Sequence, residues 1–64
     1  MEKTYIRDQA GRLRGSVEID SRGIKIARDR AGKFLGTYDP KQNVTKNSAG
    51  RVIGRGDTVV SLIP

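Results

Sequence analysis

Polar and apolar positions alternate along most of the chain. In Arg12–Ile19, Leu13, Gly15, Val17 and Ile19 are apolar or small, and Arg12, Arg14, Ser16 and Glu18 are polar. A period of two held over a whole segment is that of a strand with one face toward a core, not of a helix. The alternation is interrupted by one recurring phrase: RDQAGRLRG (Arg7–Gly15), RDRAGKFLG (Arg28–Gly36) and KNSAGRVIG (Lys46–Gly54). Within it, Asp8-Gln9-Ala10-Gly11, Asp29-Arg30-Ala31-Gly32 and Asn47-Ser48-Ala49-Gly50 start 21 and then 18 residues apart. Periodicity on this scale points to stacked or radially arranged units. Asp20-Ser21-Arg22-Gly23 matches more weakly, because no second glycine follows it.

Each Asx-x-x-Gly reads as a type I turn ending in a glycine bulge. The Asx side chain accepts hydrogen bonds from backbone N–H groups ahead of it, and the glycine takes the positive φ that other residues resist. The phrase therefore predicts a hairpin, and the turn sets its register. Asp8 closes on Arg12, Arg7 opposes Leu13, Ile6 opposes Arg14 and Tyr5 opposes Gly15. In the other copies, Ile26 then opposes Gly36 and Val44 opposes Gly54. A large side chain over a strand glycine shields its bare backbone. Leu13, Phe34 and Val52 form the neighbouring apolar column.

Ile24–Arg28 and Lys33–Tyr38 are the strands of the second copy. Asn43–Lys46 and Arg51–Arg55 are those of the third. Asp39–Asn43 is a loop, with Pro40 at the second turn position. The tail, 57–64, carries no basic residue, and Val59, Val60, Leu62 and Ile63 are apolar. It reads equally as a helical turn opened by Asp57 or as a closing strand. A contact with a second subunit is the favoured use of its apolar side. The fold class expected is all-β: repeated short antiparallel hairpins around a pseudo-symmetric centre, with all 64 residues in one domain.

Length and composition turn this into an expectation of assembly. At 64 residues, folding hides only about 60% of the unfolded chain's surface. Just fifteen residues are Ile, Leu, Val or Phe. Small domains recruit disulfides, metals or partner subunits. Cysteine and histidine are both absent, which removes disulfides and zinc sites of the usual kind. A homo-oligomer is the remaining route. No apolar run approaches the length of a membrane span and no signal-peptide start is present, so no membrane role is expected and the cytoplasm is the default location.

Thirteen Lys and Arg against seven Asp and Glu give a net charge of +6. Such a balance attracts polyanions, nucleic acid or an acidic protein, and it also keeps a small sheet protein dispersed. The cations are placed regularly: Arg7, Arg28 and Lys46 precede the turns, and Arg12, Lys33 and Arg51 follow them. These six are the candidate polyanion-binding residues. Two of the three aromatic residues, Tyr5 and Phe34, fall in the packed columns, which leaves little for base stacking. No helix is expected that could enter a major groove.

Catalysis finds no footing. Asp8, Asp20, Asp29 and Asp39 all stand at turn starts, where capping accounts for them, and no serine has a histidine partner. No catalytic residue, cofactor or metal site is expected. Gly54-Arg55-Gly56 is a fragment of a phosphate-binding loop without its strand–helix context. Arg55-Gly56-Asp57 spells an integrin-binding tripeptide and Asn43-Val44-Thr45 a glycosylation acceptor; both are short enough to arise by chance. The composite expectation is a non-enzymatic, homo-oligomeric β-repeat module that binds or scaffolds a macromolecule, with nucleic-acid binding through the hairpin tips as the alternative.

From Ala27 to Asp57 the order of phrases, ARDRAGKFLGTYDPKQNVTKNSAGRVIGRGD, resembles small bacterial proteins built from RDxxGRxLG units joined by YDPxxN, and is similar to the four-fold beta flower proteins. That resemblance implies hairpins around a pseudo-symmetric centre and carries no activity. The D-x-x-G-R-L unit also resembles the YD repeats of Rhs-type proteins, which build large β-shells and suggest a ligand or sugar held in a central funnel. Arg7, Arg28 and Lys46 stand where the YD form has tyrosine.

Overall fold

The computed structural model describes residues 2–64. Six strands follow one another in space as they do in sequence: β1 (Glu2–Arg7), β2 (Leu13–Ile19), β3 (Lys25–Asp29), β4 (Phe34–Asp39), β5 (Val44–Asn47) and β6 (Val52–Arg55). Neighbours are antiparallel, in the order β1-β2-β3-β4-β5-β6. The sheet is open, with β1 and β6 at its two edges. A 3-10 turn at Val59–Leu62 is the only helical element among the described residues.

The turns form as their chemistry demands. The Asp8 N–H donates to the Arg12 carbonyl at 3.0 Å, and the Gly11 N–H to the Asp8 carbonyl at 3.0 Å. Asp8 Oδ1 accepts from the Ala10 and Arg12 N–H groups, each at 2.9 Å. Asp29 and Asn47 repeat the set. So does Asp20, although its phrase lacks the second glycine. Gly11, Gly23, Gly32 and Gly50 hold φ between 80° and 89°, where a Cβ would be strained. The remaining connection, between β4 and β5, is a wider turn in which the Asn43 N–H reaches the Asp39 carbonyl at 2.7 Å.

The strand register differs from the expectation by one residue. Gly15, Gly36 and Gly54 oppose Ile6, Ala27 and Thr45, not Tyr5, Ile26 and Val44. The cause is a bulge in each of the three hairpins. Arg14, Leu35 and Ile53 have no partner across the ladder, and one inserted residue reverses the facing of everything beyond it. Leu13 therefore lies on the opposite face from Gly15, Val17 and Ile19. Across the sheet, Thr4–Val17–Ala27–Gly36–Asn47 form one row, and Lys3–Glu18–Ile26–Thr37–Lys46–Val52 the row beside it. Adjacent rows present opposite faces.

The tail covers one of those faces. Val59 is buried with Val17 and Ala27, and Ile6, Leu35, Tyr38, Leu62 and Ile63 pack around them. The sequence favours a subunit contact for the tail, whereas the structure lays it on its own sheet. Room for it comes from small residues. A Cβ on Gly15 would collide with the Arg28 carbonyl and stand 2.9 Å from Ile63 Cγ2. One on Gly36 would collide with the Lys46 carbonyl and stand 2.5 Å from Leu62 Cδ1. These glycines permit a close approach; they are not bare backbone awaiting an aromatic cover. Thr45, fully buried, ties the tail's start: its hydroxyl donates to the Gly56 carbonyl at 2.8 Å and accepts the Thr58 N–H at 3.1 Å. Lys25 Nζ meets Asp57 Oδ2 at 2.5 Å.

Candidate polyanion-binding margin

In a meander, every second turn lies at the same end of the sheet. The turns opened by Asp8, Asp29 and Asn47 share one end; those opened by Asp20 and Asp39 share the other. The tips do not stand level. Asp29 pairs through Gly15 with the position of Ile6, and Asn47 is in the row of Thr4. Each tip is thus set back two residues from the one before. With about 4.8 Å between strands and about 3.3 Å per residue, successive tips are about 12 Å apart along a slanted margin.

Charge is divided unevenly between the ends. In or within three residues of these three turns stand Arg7, Arg12, Arg14, Arg28, Arg30, Lys33, Lys46 and Arg51, against Asp8 and Asp29 alone. The remaining five cations are balanced by five acids. The whole net charge of +6 therefore belongs to the three-tip margin. Neither composition nor periodicity reveals that; it follows from the order of the strands.

The six expected cations do not all serve alike. Arg7 Nη1 donates to the Gly11 carbonyl at 3.1 Å, and Arg28 Nη1 to the Gly32 carbonyl at 3.2 Å. The residue before each of these turns thus caps the turn's own last carbonyl. Arg28 Nε also stands 3.7 Å from Glu18 Oε1. Lys46 is half-buried and makes no such contact in the third turn. Arg12, Lys33 and Arg51 are exposed; Arg12 Nε is 4.0 Å from Asp8 Oδ2, a separation at which a solvated pair contributes little. These three carry charge with the least structural obligation.

Two further cations were missed in sequence. Arg30 sits inside its turn, and Arg14 occupies the bulge of β2, from which its Nε donates to the Pro64 carbonyl at 2.6 Å. With Leu13, Asp29 and Pro64 they line a cleft of about 280 Å³. Its signal in sequence is absent, because nothing marks Arg14 as a bulge residue. A second, more apolar cleft of about 170 Å³ lies between Ile6, Val17 and Ile19 on the sheet and Val59 and Val60 of the tail.

Among the described residues, no group of three His, Cys, Asp or Glu side chains could hold a metal ion, and no helix is long and apolar enough to cross a membrane. No protein-family model, curated protein or solved structure matches the chain.

Proposed function

We propose that this chain is a non-enzymatic binding module for a polyanion, with the three-tip margin as its contact surface. The observation that carries the reading is the segregation of the entire net charge of +6 to that margin. Staggered cations on rigid hairpin tips suit a charged backbone, whose release of counterions supplies affinity without sequence readout. The test is fluorescence anisotropy with a labelled single-stranded oligonucleotide at rising salt. Binding weakens steadily with salt, and the Arg12→Glu/Lys33→Glu/Arg51→Glu variant binds about tenfold or more weakly with an unchanged circular dichroism spectrum. An absence of binding at low salt removes the reading; so does binding that salt leaves untouched. An acidic protein is the competing ligand of the same surface.

Assembly is a second reading, favoured by the two unpaired edges at β1 and β6. Pairing of one protomer's β1 with another's β6 continues the sheet and generates the pseudo-symmetric ring of hairpins that the beta flower resemblance implies. Light scattering during size exclusion decides it: a species of 7.0 kDa alone excludes it. A cytoplasmic location belongs to the same proposal as the default compartment, which cysteine usage does not mark.

A further inference from the structure

The tail covers one face of the sheet; among the described residues no element lies over the other, although Ser16 at its centre is 6% exposed. On that bare face one row reads Tyr5–Ser16–Arg28–Phe34, with Arg7–Leu13 on one side of it and Lys3–Glu18–Ile26–Thr37–Lys46–Val52 on the other. Expected in packed columns, Tyr5 and Phe34 are instead 55% and 37% exposed. The bulges put them there, by moving the glycines to the opposite face. Cations stand among the rings: Arg28 shares their row and is the cross-strand partner of Phe34, and Lys3 Nζ lies 5.2 Å from the centre of the Tyr5 ring.

Extending the polyanion reading, we propose that this face binds single-stranded nucleic acid, with bases stacked on Tyr5 and Phe34 and phosphates held by Arg7, Arg28 and Lys46. Flat sheets bearing exposed aromatic and basic residues recognise single strands in this way, because every base has a face to stack and every nucleotide a charge to neutralise. Charge complementarity selects this occupant. The bare face carries Lys3, Arg7, Arg28, Lys46 and Arg55 against Glu18 and Asp39. A second copy laid face to face would bring like charge onto like, whereas a polyanion is drawn to it and to the adjoining margin. A duplex presents its phosphates but hides its base faces, so it can use the margin and not the rings.

The experiment compares oligothymidylate of about twelve nucleotides, a duplex of equal length and inorganic polyphosphate. Oligothymidylate quenches the tyrosine fluorescence of the wild-type protein and binds more tightly than duplex. Tyr5→Leu and Phe34→Leu each weaken oligothymidylate about fivefold or more, while polyphosphate affinity and thermal midpoint stay as in wild type. Equal binding of all three probes, with no quenching and no effect of either substitution, overturns the stacking proposal and leaves the polyanion reading standing. Failure of every probe removes both. A dimer that Tyr5→Leu dissociates, with no nucleic-acid binding, assigns the face to a second copy and overturns the proposal as well.

Discussion

The two faces of the sheet are built from the same strands and have opposite characters. Beneath the tail, small residues run through the centre: Gly15, Ala27, Gly36 and Thr45 lie where Val59, Leu62 and Ile63 come down. The other face bears Tyr5, Phe34 and Val52, all exposed, between Arg7, Arg28 and Lys46. One face trades its side chains for a close backbone approach, and the other keeps large side chains with nothing over them. Folding stability should therefore be concentrated on the first and binding on the second. A sheet this small has one core, and the tail supplies three of its eight residues, Val59, Leu62 and Ile63.

The comparison breaks most visibly at the glycines. Gly36→Ala drives a methyl into the Lys46 carbonyl and Leu62, and Gly15→Ala drives one into the Arg28 carbonyl and Ile63. Neither backbone carbonyl can yield without opening the ladder. Overpacking of this kind costs about 1–3 kcal/mol or more, and a single core of this size supplies only about 3–5 kcal/mol in all. Both variants should lose a large share of that margin, read as a markedly lowered urea midpoint by circular dichroism. Gly54 occupies the same place in its hairpin, yet an added Cβ there would find only Thr58 Oγ1, at 3.9 Å. Gly54→Ala is expected to stay within about 0.5 kcal/mol of wild type. Equal losses at all three sites would show that hairpin geometry, not the tail, requires glycine.

A smaller effect separates two neighbours in the tail. Val59 is 1% exposed and Val60 51%. Val59→Ala removes two buried methyl groups over Ala27 and Val17 and should cost about 2 kcal/mol. Val60→Ala should cost less than about 0.5 kcal/mol. Thermal melts of the two variants measure the difference. Equal melts would mean that the tail does not dock on the sheet in solution, and the division between the faces would fall with it.

Much of this arrangement can be read from local chemistry. Asp8, Asp20, Asp29 and Asn47 each announce a turn, because an Asx side chain and a glycine three residues on satisfy that geometry within five residues. Strand existence follows from alternation between the turns. What escapes is whatever depends on a single unpaired residue or on distance along the chain. Arg14, Leu35 and Ile53 belong to three different residue types, so nothing in their chemistry marks a bulge; yet each shifts a register. Docking of the tail on Gly15 joins residues 48 apart in sequence, and a strand glycine looks the same whether a ring covers it or a backbone presses on it. The candidate site divides likewise. Six of its cations are plain in the phrase, Arg14 and Arg30 are not, and the same one-residue slip puts Tyr5 and Phe34 on the wrong face.

The finest test lies at the end of the sheet away from the basic margin, where Asp20 opens the turn between β2 and β3. Partial burial would raise its pKa, but the hydrogen bonds from the Arg22 and Ile24 N–H groups, together with the Arg22 guanidinium 3.2 Å away, outweigh that and hold the carboxyl below its ordinary value. A carboxylate whose pKa is lowered by folding stabilises the native state above its unfolded pKa, and that contribution disappears as pH falls through the folded value. Urea midpoints should therefore decline between about pH 5 and about pH 2, and part of the decline should be traceable to this side chain. Asn47 shows what replaces it: an amide oxygen accepts the Ala49 and Arg51 N–H groups at 3.0 and 3.1 Å in the same geometry, with no charge to titrate. Asp20→Asn should accordingly keep the turn, lower stability slightly at neutral pH and flatten the acid limb. If the substitution leaves the acid limb unchanged, the carboxylate's charge contributes nothing to the turn, and the Asx geometry alone stabilises all four.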